Sequence, residues 1–309
     1  MGPFSRCLSI LIYHRVIAEP DPLVPGEVCA KEFDWQLKVL GRWFRVLPLT
    51  EAVARLRDGT LPVRAACVTF DDGYADNVSV ALPILEKRGV PATFFLTTAY
   101  INGGRMWNDT VIETVRRAPG TTLDARPVGL ETLDITTLDL RRRVIDRLLA
   151  ALKYLPMEER QRRAGELSAA SACELPSGLM MTTEGVLQLH KRGMEIGAHT
   201  VSHPILAKLD PERARAEIGD SKSRIEAITG APVTLFAYPN GKPGIDYGRE
   251  HVSMVRELGF EAAVSTAWGV SHTASDLFQL PRFTPWDRTS GTFLLRLMHN
   301  TFRTRAERI

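Results

Sequence analysis

Short apolar runs recur along this chain with turn residues between them, as in strands that are buried on both faces. Amphipathic segments lie between the runs, for example the near-helical spacing of Phe33, Leu37, Leu40 and Phe44. Thr50 and Thr183 are predicted to cap two further helices. The predicted strands are residues 8–13, 66–70, 92–96, 194–197, 233–236 and 262–265.

One junction recurs three times between these elements. An amphipathic segment ends in basic or polar residues, a glycine follows (Gly89, Gly193 or Gly259), and an apolar run begins at once. A glycine in the left-handed conformation is a common helix terminator. Repeated units of this kind predict an α/β fold with a parallel sheet, either open or closed into a barrel. No GxGxxG motif follows the first strand, so the usual sign of dinucleotide binding is missing.

The stretch from about Gly103 to Pro176 departs from this alternation. It is rich in Arg, Leu, Ala and Glu, and its patterns are helical with no convincing strand. We interpret residues 103–176 as a helical insertion in a βα loop of one catalytic domain that spans residues 1–309. Its arginines favour a solvated face over a binding patch, with a lid or partner surface as the alternative.

Composition excludes several classes of protein. The chain has 309 residues, of which 44% are hydrophobic, enough for a sizeable core, and a formal net charge of +3, too small and dispersed for a nucleic-acid-binding face. The four cysteines, Cys7, Cys29, Cys67 and Cys173, form no CxxC pair and are predicted to be buried thiols.

No apolar run is long enough to predict a transmembrane segment. The apolar residues near the N-terminus run into His14 and Arg15 without a small-residue cleavage site, which favours a first strand over a signal peptide. If the chain is full length, this predicts a cytoplasmic protein; a chain that had lost a leader would look the same.

Polar residues of the kind found in active sites follow four of the predicted strands. His14 follows the first, Asp71-Asp72-Gly73 the second, His199 and His203 the fourth, and the segment from Tyr238 to Gly241 the fifth. The carboxyl ends of parallel strands share one edge of a sheet or barrel. We therefore expect these groups to converge.

Asp72, His199 and His203 suit a divalent metal ion. Two imidazoles four residues apart can reach one ion, and one carboxylate completes a set with open positions for water and substrate. The alternative is structural: Asp71-Asp72-Gly73 would be an ordinary turn and His199 a helix cap or core residue. The matched placement at strand ends favours the metal site.

Three motifs resemble those of the polysaccharide deacetylases, also called carbohydrate esterase family 4 or the NodB homology domain. They are TFDDG at residues 69–73, HTVSHP at 199–204, and FAYPNG at 236–241 as a variant of the third motif. FAYPxG resembles the branch that includes poly-N-acetylglucosamine deacetylases. The resemblance implies a distorted (β/α) barrel of about seven parallel strands and metal-dependent removal of acetyl groups from N-acetylated sugars.

Carried over to this sequence, the resemblance assigns Asp72, His199 and His203 to the metal. It assigns Asp71 to the general base and the backbone N–H of Asn240 to the oxyanion. Zinc is our choice of metal because it suits two histidines and an aspartate, although Co²⁺, Ni²⁺ and Fe²⁺ bind similar ligands.

Two positions depart from the family pattern. Many members have an arginine in the third motif where this chain has Ala237; Arg282 is a candidate to supply the guanidinium from a later strand. Many members also take the general acid from a late LxH motif that is missing here. The FAYPxG branch uses an early YH motif for this role, which assigns the acid to His14, with His299 as the less favoured substitute.

A structural role is the default interpretation of the remaining histidines and of the tryptophans. His190, His251 and His272 are predicted to be surface residues. Trp107, Trp268 and Trp286 are isolated tryptophans, which are core or rim residues by default. Trp268 and Trp286 lie near the last strand ends, and for them the lining of a sugar-binding groove is an equal alternative.

The sequence therefore predicts a metal-dependent N-deacetylase acting on a polysaccharide, an oligosaccharide or a lipid-linked glycan, with a role in exopolysaccharide biosynthesis. The alternatives are a metal-dependent hydrolase of another C–N bond, such as that of a cyclic ureide or imide, and a glycan-binding homologue without turnover. The oligomeric state is left open.

Overall fold

The computed structural model describes residues 6–302 and 306–309. The described residues contain a parallel sheet and a surrounding layer of helices, together with a smaller helical unit. The strands are β1 (Leu8–Tyr13), β2 (Val16–Ile17), β3 (Val28–Cys29), β4 (Arg45–Val46), β5 (Ala65–Phe70), β6 (Thr93–Leu96), β7 (Thr122–Asp124), β8 (Thr132–Asp134), β9 (Glu195–Ala198), β10 (Leu235–Ala237) and β11 (Ala262–Val264). The α-helices are α1 (Ala30–Trp43), α2 (Leu49–Arg57), α3 (Leu82–Arg88), α4 (Trp107–Arg117), α5 (Leu138–Leu152), α6 (Met157–Ala170), α7 (Thr183–Lys191), α8 (Pro211–Thr229), α9 (Arg249–Glu257) and α10 (Ser290–Asn300).

The main sheet has seven strands in the described residues, in the order β1-β5-β6-β9-β10-β11 with β4 also paired to β5. Every pairing in it is parallel. The segment at residues 280–283 joins the two edge strands: Leu280 N–H donates to Ala263 of β11, and Phe283 N–H donates to Ile10 of β1. The sheet thus curls into a distorted barrel, which confirms the predicted fold class.

Five strands of the main sheet are buried on both faces, as their apolar runs predicted: β1, β5, β6, β10 and β11. Ala66, Val68 and Phe70 of β5 pack in the cluster that includes α1 and α3, whereas Ala65 and Cys67 belong to a second cluster. Because side chains alternate along a strand, Cys67 and Thr69 share a face of β5, and the same alternation continues to Asp71.

The predicted αβ junctions are confirmed. Gly89, Gly193 and Gly259 all adopt positive φ, between 62° and 78°. Two helix caps were predicted wrongly: the N-cap of α2 is Pro48 rather than Thr50, and that of α7 is Thr182 rather than Thr183. In α7 the Thr182 hydroxyl accepts a hydrogen bond from Gly185 N–H at 3.2 Å, so the capping chemistry is as expected but one residue earlier.

A second compact unit comprises residues 20–27 and 103–180. It has its own apolar core, in which α4, α5 and α6 contribute residues such as Val111, Leu148 and Leu167. Contrary to the prediction that this stretch lacks strands, β7 and β8 pair as an antiparallel hairpin within it. The assignment of residues 1–309 to one catalytic domain stays a prediction.

No disulfide joins two cysteines among the described residues; Cys7, Cys29 and Cys67 are buried, as predicted, whereas Cys173 is half-buried.

Candidate active site

The predicted site residues lie in loops at the carboxyl ends of four strands. His14 follows β1, Asp71 and Asp72 follow β5, His199 follows β9, and Asn240 lies in the loop after β10. Because these strands are parallel, the loops share one edge of the barrel.

Asp72, His199 and His203 come together at this edge. The Nε2 atoms of both histidines lie 3.5 Å from Asp72 Oδ1. One candidate ligand atom from each of the three residues lies within 4.8 Å of the others. Asp72 and His199 are buried, and His203 is half-buried, so the cluster is open on one side.

The donor atoms of this cluster fit a divalent cation. Asp72 Oδ1 is buried and has no hydrogen-bond partner among the described residues, a costly state for a carboxylate oxygen unless an ion satisfies it. His199 Nδ1 lies 2.7 Å from the carbonyl oxygen of Ala237. A proton held on Nδ1 by this bond leaves the Nε2 lone pair directed at Asp72, the tautomer that a metal ligand requires.

Electrostatics keep Asp72 in the form that binds metal. Burial by itself would raise the pKa of this carboxyl, but the neighbouring imidazoles of His199, His203 and His14 hold the pKa well below its usual range. Metal ligands must be deprotonated, so Asp72 is ready to bind a cation at neutral pH.

The backbone at the site adopts an uncommon conformation. Asp72, Thr200, His203 and Asn240 all have positive φ, between 57° and 74°. Each such residue costs of the order of 1–3 kcal/mol and persists only where its surroundings impose it. Gly73, with φ of 90°, continues the turn, and a Cβ there would come within 3.1 Å of Leu96. The turns that present Asp72 and His203 are therefore held by the fold.

Asp71 is paired with the fully buried Arg282. Two guanidinium nitrogens of Arg282 each lie 2.7 Å from one carboxylate oxygen of Asp71. Burial by itself would raise the pKa of Asp71, but the charges of Arg282 and His199 hold it below the ordinary value. Asp71 is therefore an ionised carboxylate at neutral pH.

Closure of the barrel brings Arg282 to this position. It lies in the 280–283 segment that joins β11 to β1, and its Nε donates to Ser265 O at 2.9 Å. Its Nη1 also contacts Thr69 Oγ1 at 3.3 Å, on the face of β5 that Asp71 continues. From the sequence, Arg282 was only a candidate to substitute for the arginine that would otherwise stand at the position of Ala237. In the structure its guanidinium contacts Asp71 directly.

Asn240 presents its backbone N–H without an internal partner. Within residues 6–302 and 306–309, no hydrogen bond engages this N–H, although the Asn240 carbonyl accepts one from Thr266 Oγ1 at 2.7 Å. The residue is half-buried, so the N–H is available to a ligand, as the predicted oxyanion role requires.

His14 is exposed at the end of β1, and its charge contributes to lowering the pKa of Asp71 and of Asp72, after the larger effects of burial, Arg282, His199 and His203. Its backbone is fixed: the Asn77 side-chain amide donates to His14 O at 2.9 Å, and Asp76 binds Arg15 at 2.7 Å. His299, the alternative acid, lies exposed in the last turn of α10.

Sequence reasoning missed two sets of positioning residues. Asp76 is the N-cap of the π-helix (Asn77–Ala81) that follows the aspartate motif, and Asn77 is its first residue. Their polar side chains close to that motif were the available signal. Glu217 of α8 accepts hydrogen bonds from Val201 N–H at 2.9 Å and Ser202 N–H at 2.8 Å. Nothing in the local sequence indicated that this helix residue holds the HTVSHP loop.

The interpretation of the other histidines was wrong for His251, which is 3% exposed and accepts a hydrogen bond from Gly248 N–H at 2.9 Å. His190 and His272 are half-buried rather than fully exposed.

Known proteins match both the sequence and the fold. The profile of the family described as "Polysaccharide deacetylase" matches residues 58–127 and 143–263. YxkH of Bacillus subtilis (strain 168) is 22% identical over 277 residues, which are 89% of this chain and 70% of that protein.

Two solved structures share the fold over 94% of this chain. The Streptococcus pyogenes deacetylase PplD, solved in complex with acetate, has a TM-score of 0.64 at 20% identity over 98% of its chain. IcaB from Ammonifex degensii has a TM-score of 0.59 at 18% identity over 95% of its chain. Among the described residues, no helix combines the length and the apolar character needed to cross a membrane.

Proposed function

Because the chain belongs to the polysaccharide deacetylase family, we propose that it is a metal-dependent hydrolase that removes N-acetyl groups from the amino sugars of a glycan. The observation that carries this proposal is the convergence of Asp72, His199 and His203 beside the ionised Asp71–Arg282 pair. A divalent ion held by Asp72, His199 and His203 would supply Lewis acidity, which polarises the amide carbonyl and makes water more acidic. Zinc suits this donor set.

Asp71, Asn240 and His14 each have a different role in the reaction. Asp71 accepts a proton from the attacking water, because Arg282 keeps its carboxylate ionised and oriented. The N–H of Asn240 donates a hydrogen bond to the oxyanion that forms on the acetyl carbonyl. His14 donates a proton to the amine as the C–N bond breaks. The products are acetate and a free amino sugar, and no covalent enzyme intermediate is needed.

Acetate release tests the proposal. We expect the zinc-loaded protein to release acetate from N-acetylglucosamine oligomers and to lose this activity on treatment with a chelator. Turnover of a cyclic ureide or imide without any acetate release would contradict the proposal, and so would glycan binding with no turnover at any metal loading.

The metal ligands can be tested without reference to activity. His199→Ala or His203→Ala removes one of three protein ligands, so each variant should retain less than about a tenth of the wild-type zinc after dialysis. Elemental analysis provides this measurement, and circular dichroism checks that the fold survives. His190→Ala, a half-buried histidine outside the cluster, should retain the wild-type metal content. Equal metal in all four proteins would refute the assignment.

The role of His14 can be tested by comparing two substrates with different leaving groups. An amine must be protonated as it departs, whereas an activated phenolate leaves as an anion without help. His14→Ala should therefore reduce acetate release from N-acetyl sugars by ~10²-fold or more, yet retain much of the activity on an aryl acetate. An equal loss on both substrates would make His14 a positioning residue and His299 the next candidate acid.

A further inference from the structure

Trp286 is a large aromatic residue with 54% of its surface exposed, and it follows the 280–283 segment that closes the barrel. We propose that Trp286, supported by Trp268 and Arg296, forms a stacking platform for a pyranose ring of the glycan chain next to the sugar that is deacetylated. This inference rests on the proposed function and names a binding subsite for it.

The strand register places Trp286 at the same edge of the barrel as His14. Leu11 of β1 pairs in parallel with Phe283 at an isolated bridge. Three residues further along each segment lie His14, directly after β1, and Trp286, shortly after the closing segment and directly after Pro285. The Gln36 side chain links the two: its Oε1 accepts from Tyr13 OH at 2.9 Å, and its Nε2 donates to Pro285 O at 3.2 Å. Trp286 thus follows the closing segment at the edge of the barrel where β1 ends and His14 begins the next loop.

The indole of Trp286 is held in place. The guanidinium carbon of Arg296 lies 4.7 Å from the centre of the Trp286 ring and 5.4 Å from that of Trp268. The two tryptophan rings are 5.0 Å apart. Arg296 is fixed in turn by Asp287 at 2.8 Å and by the carbonyl of Thr284 at 3.1 Å. A ring held in this way loses little conformational freedom when a ligand binds.

The chemistry of the surroundings favours a sugar over an apolar partner. A pyranose ring offers an apolar face of C–H groups to an aromatic plane, and its hydroxyl groups point outward. Arg296, whose side chain is 27% exposed, borders the indole and offers N–H donors to those hydroxyls. A purely apolar partner would cover the exposed part of this guanidinium without offering it a hydrogen-bond acceptor.

Trp43 provides a matched control. It is 40% exposed and has Arg42 over its ring at 5.9 Å. It ends α1 immediately before β4, whose residues pair with Ala65 and Ala66 at the amino end of β5. Trp43 therefore lies toward the end of the barrel opposite the site.

The test compares N-acetylglucosamine monomer and pentamer, the latter with β-1,4 and with β-1,6 linkages. Trp286→Ala should lower the ratio of kcat/KM for a pentamer to that for the monomer about tenfold, mainly through KM. Trp286→Phe should recover most of this ratio, and Trp43→Ala should leave it unchanged. The quenching of tryptophan fluorescence by the pentamer should decrease in Trp286→Ala but not in Trp43→Ala.

An unchanged ratio and unchanged pentamer affinity in Trp286→Ala would overturn the platform while leaving the deacetylase proposal intact. If the wild type binds the pentamer through Trp286 without hydrolysing it, the platform stands and the deacetylase proposal fails. A wild-type dimer that dissociates in Trp286→Ala, with pentamer affinity unchanged, would show that a second copy of the chain covers this residue and would also overturn the platform.

Discussion

Asp71→Asn should lower acetate release from an N-acetylated glycan by ~10²–10⁴-fold, the usual contribution of a general base, while the protein keeps its divalent metal. The amide has nearly the shape of the carboxylate but cannot accept a proton from water. Asp72, His199 and His203 are unchanged, so the metal should stay bound. Acetate release and elemental analysis on the same preparation test both parts of this prediction.

A carboxylate at the other end of the barrel is the control for this substitution. Glu195, the first residue of β9, accepts hydrogen bonds from Leu49 N–H at 2.8 Å and Thr93 Oγ1 at 2.6 Å. Glu195→Gln should lower the free energy of unfolding yet leave turnover near the wild-type value. If Asp71→Asn lost the metal and Asp72→Asn kept it, the two aspartates would have the opposite roles.

Arg282→Met should lower the free energy of unfolding by about 3–5 kcal/mol, because it leaves Asp71 buried without its partner. The folded-state pKa of Asp71 is below its ordinary value. The pair therefore stabilises the fold above the unfolded-state pKa of about 3.9, and this contribution is lost as the pH falls through the lower folded-state value. Denaturant unfolding of both proteins at neutral and acidic pH provides the measurement, and the difference between them should shrink toward low pH.

Two further variants show whether the lower stability of Arg282→Met comes from the lost ion pair or from a general loss of core packing. Arg282→Met combined with Asp71→Asn removes the unpaired charge and should recover part of the lost stability. Arg215 and Glu257 form an exposed pair at 2.7 Å, with 48% and 59% of their side chains accessible. Arg215→Ala should change the free energy of unfolding by less than about 1 kcal/mol. A similar small effect for Arg282→Met would mean that the buried pair does not fix Asp71.

The sequence by itself determined the parallel α/β architecture and the loops that carry the site. Apolar runs buried on both faces and glycines after helices are local signals, so the six predicted strands match β1, β5, β6, β9, β10 and β11 to within two residues at either end. The candidate metal ligands could also be proposed from sequence, because Asp72, His199 and His203 follow strands whose parallel pairing implies one shared edge. Their roles stay predictions until the metal is measured.

Only the tertiary structure decided which distant groups contact this edge. Arg282 and Asp71 are 211 positions apart, and they meet because the 280–283 segment closes the barrel; no local pattern encodes that closure. Glu217 reaches the HTVSHP loop from the middle of a long helix, and His251 is buried although its helix looked exposed. Such contacts depend on how whole elements pack against each other. The periodicity of a sequence predicts which face of a helix or strand is buried. It does not predict which residue of another element will contact that face.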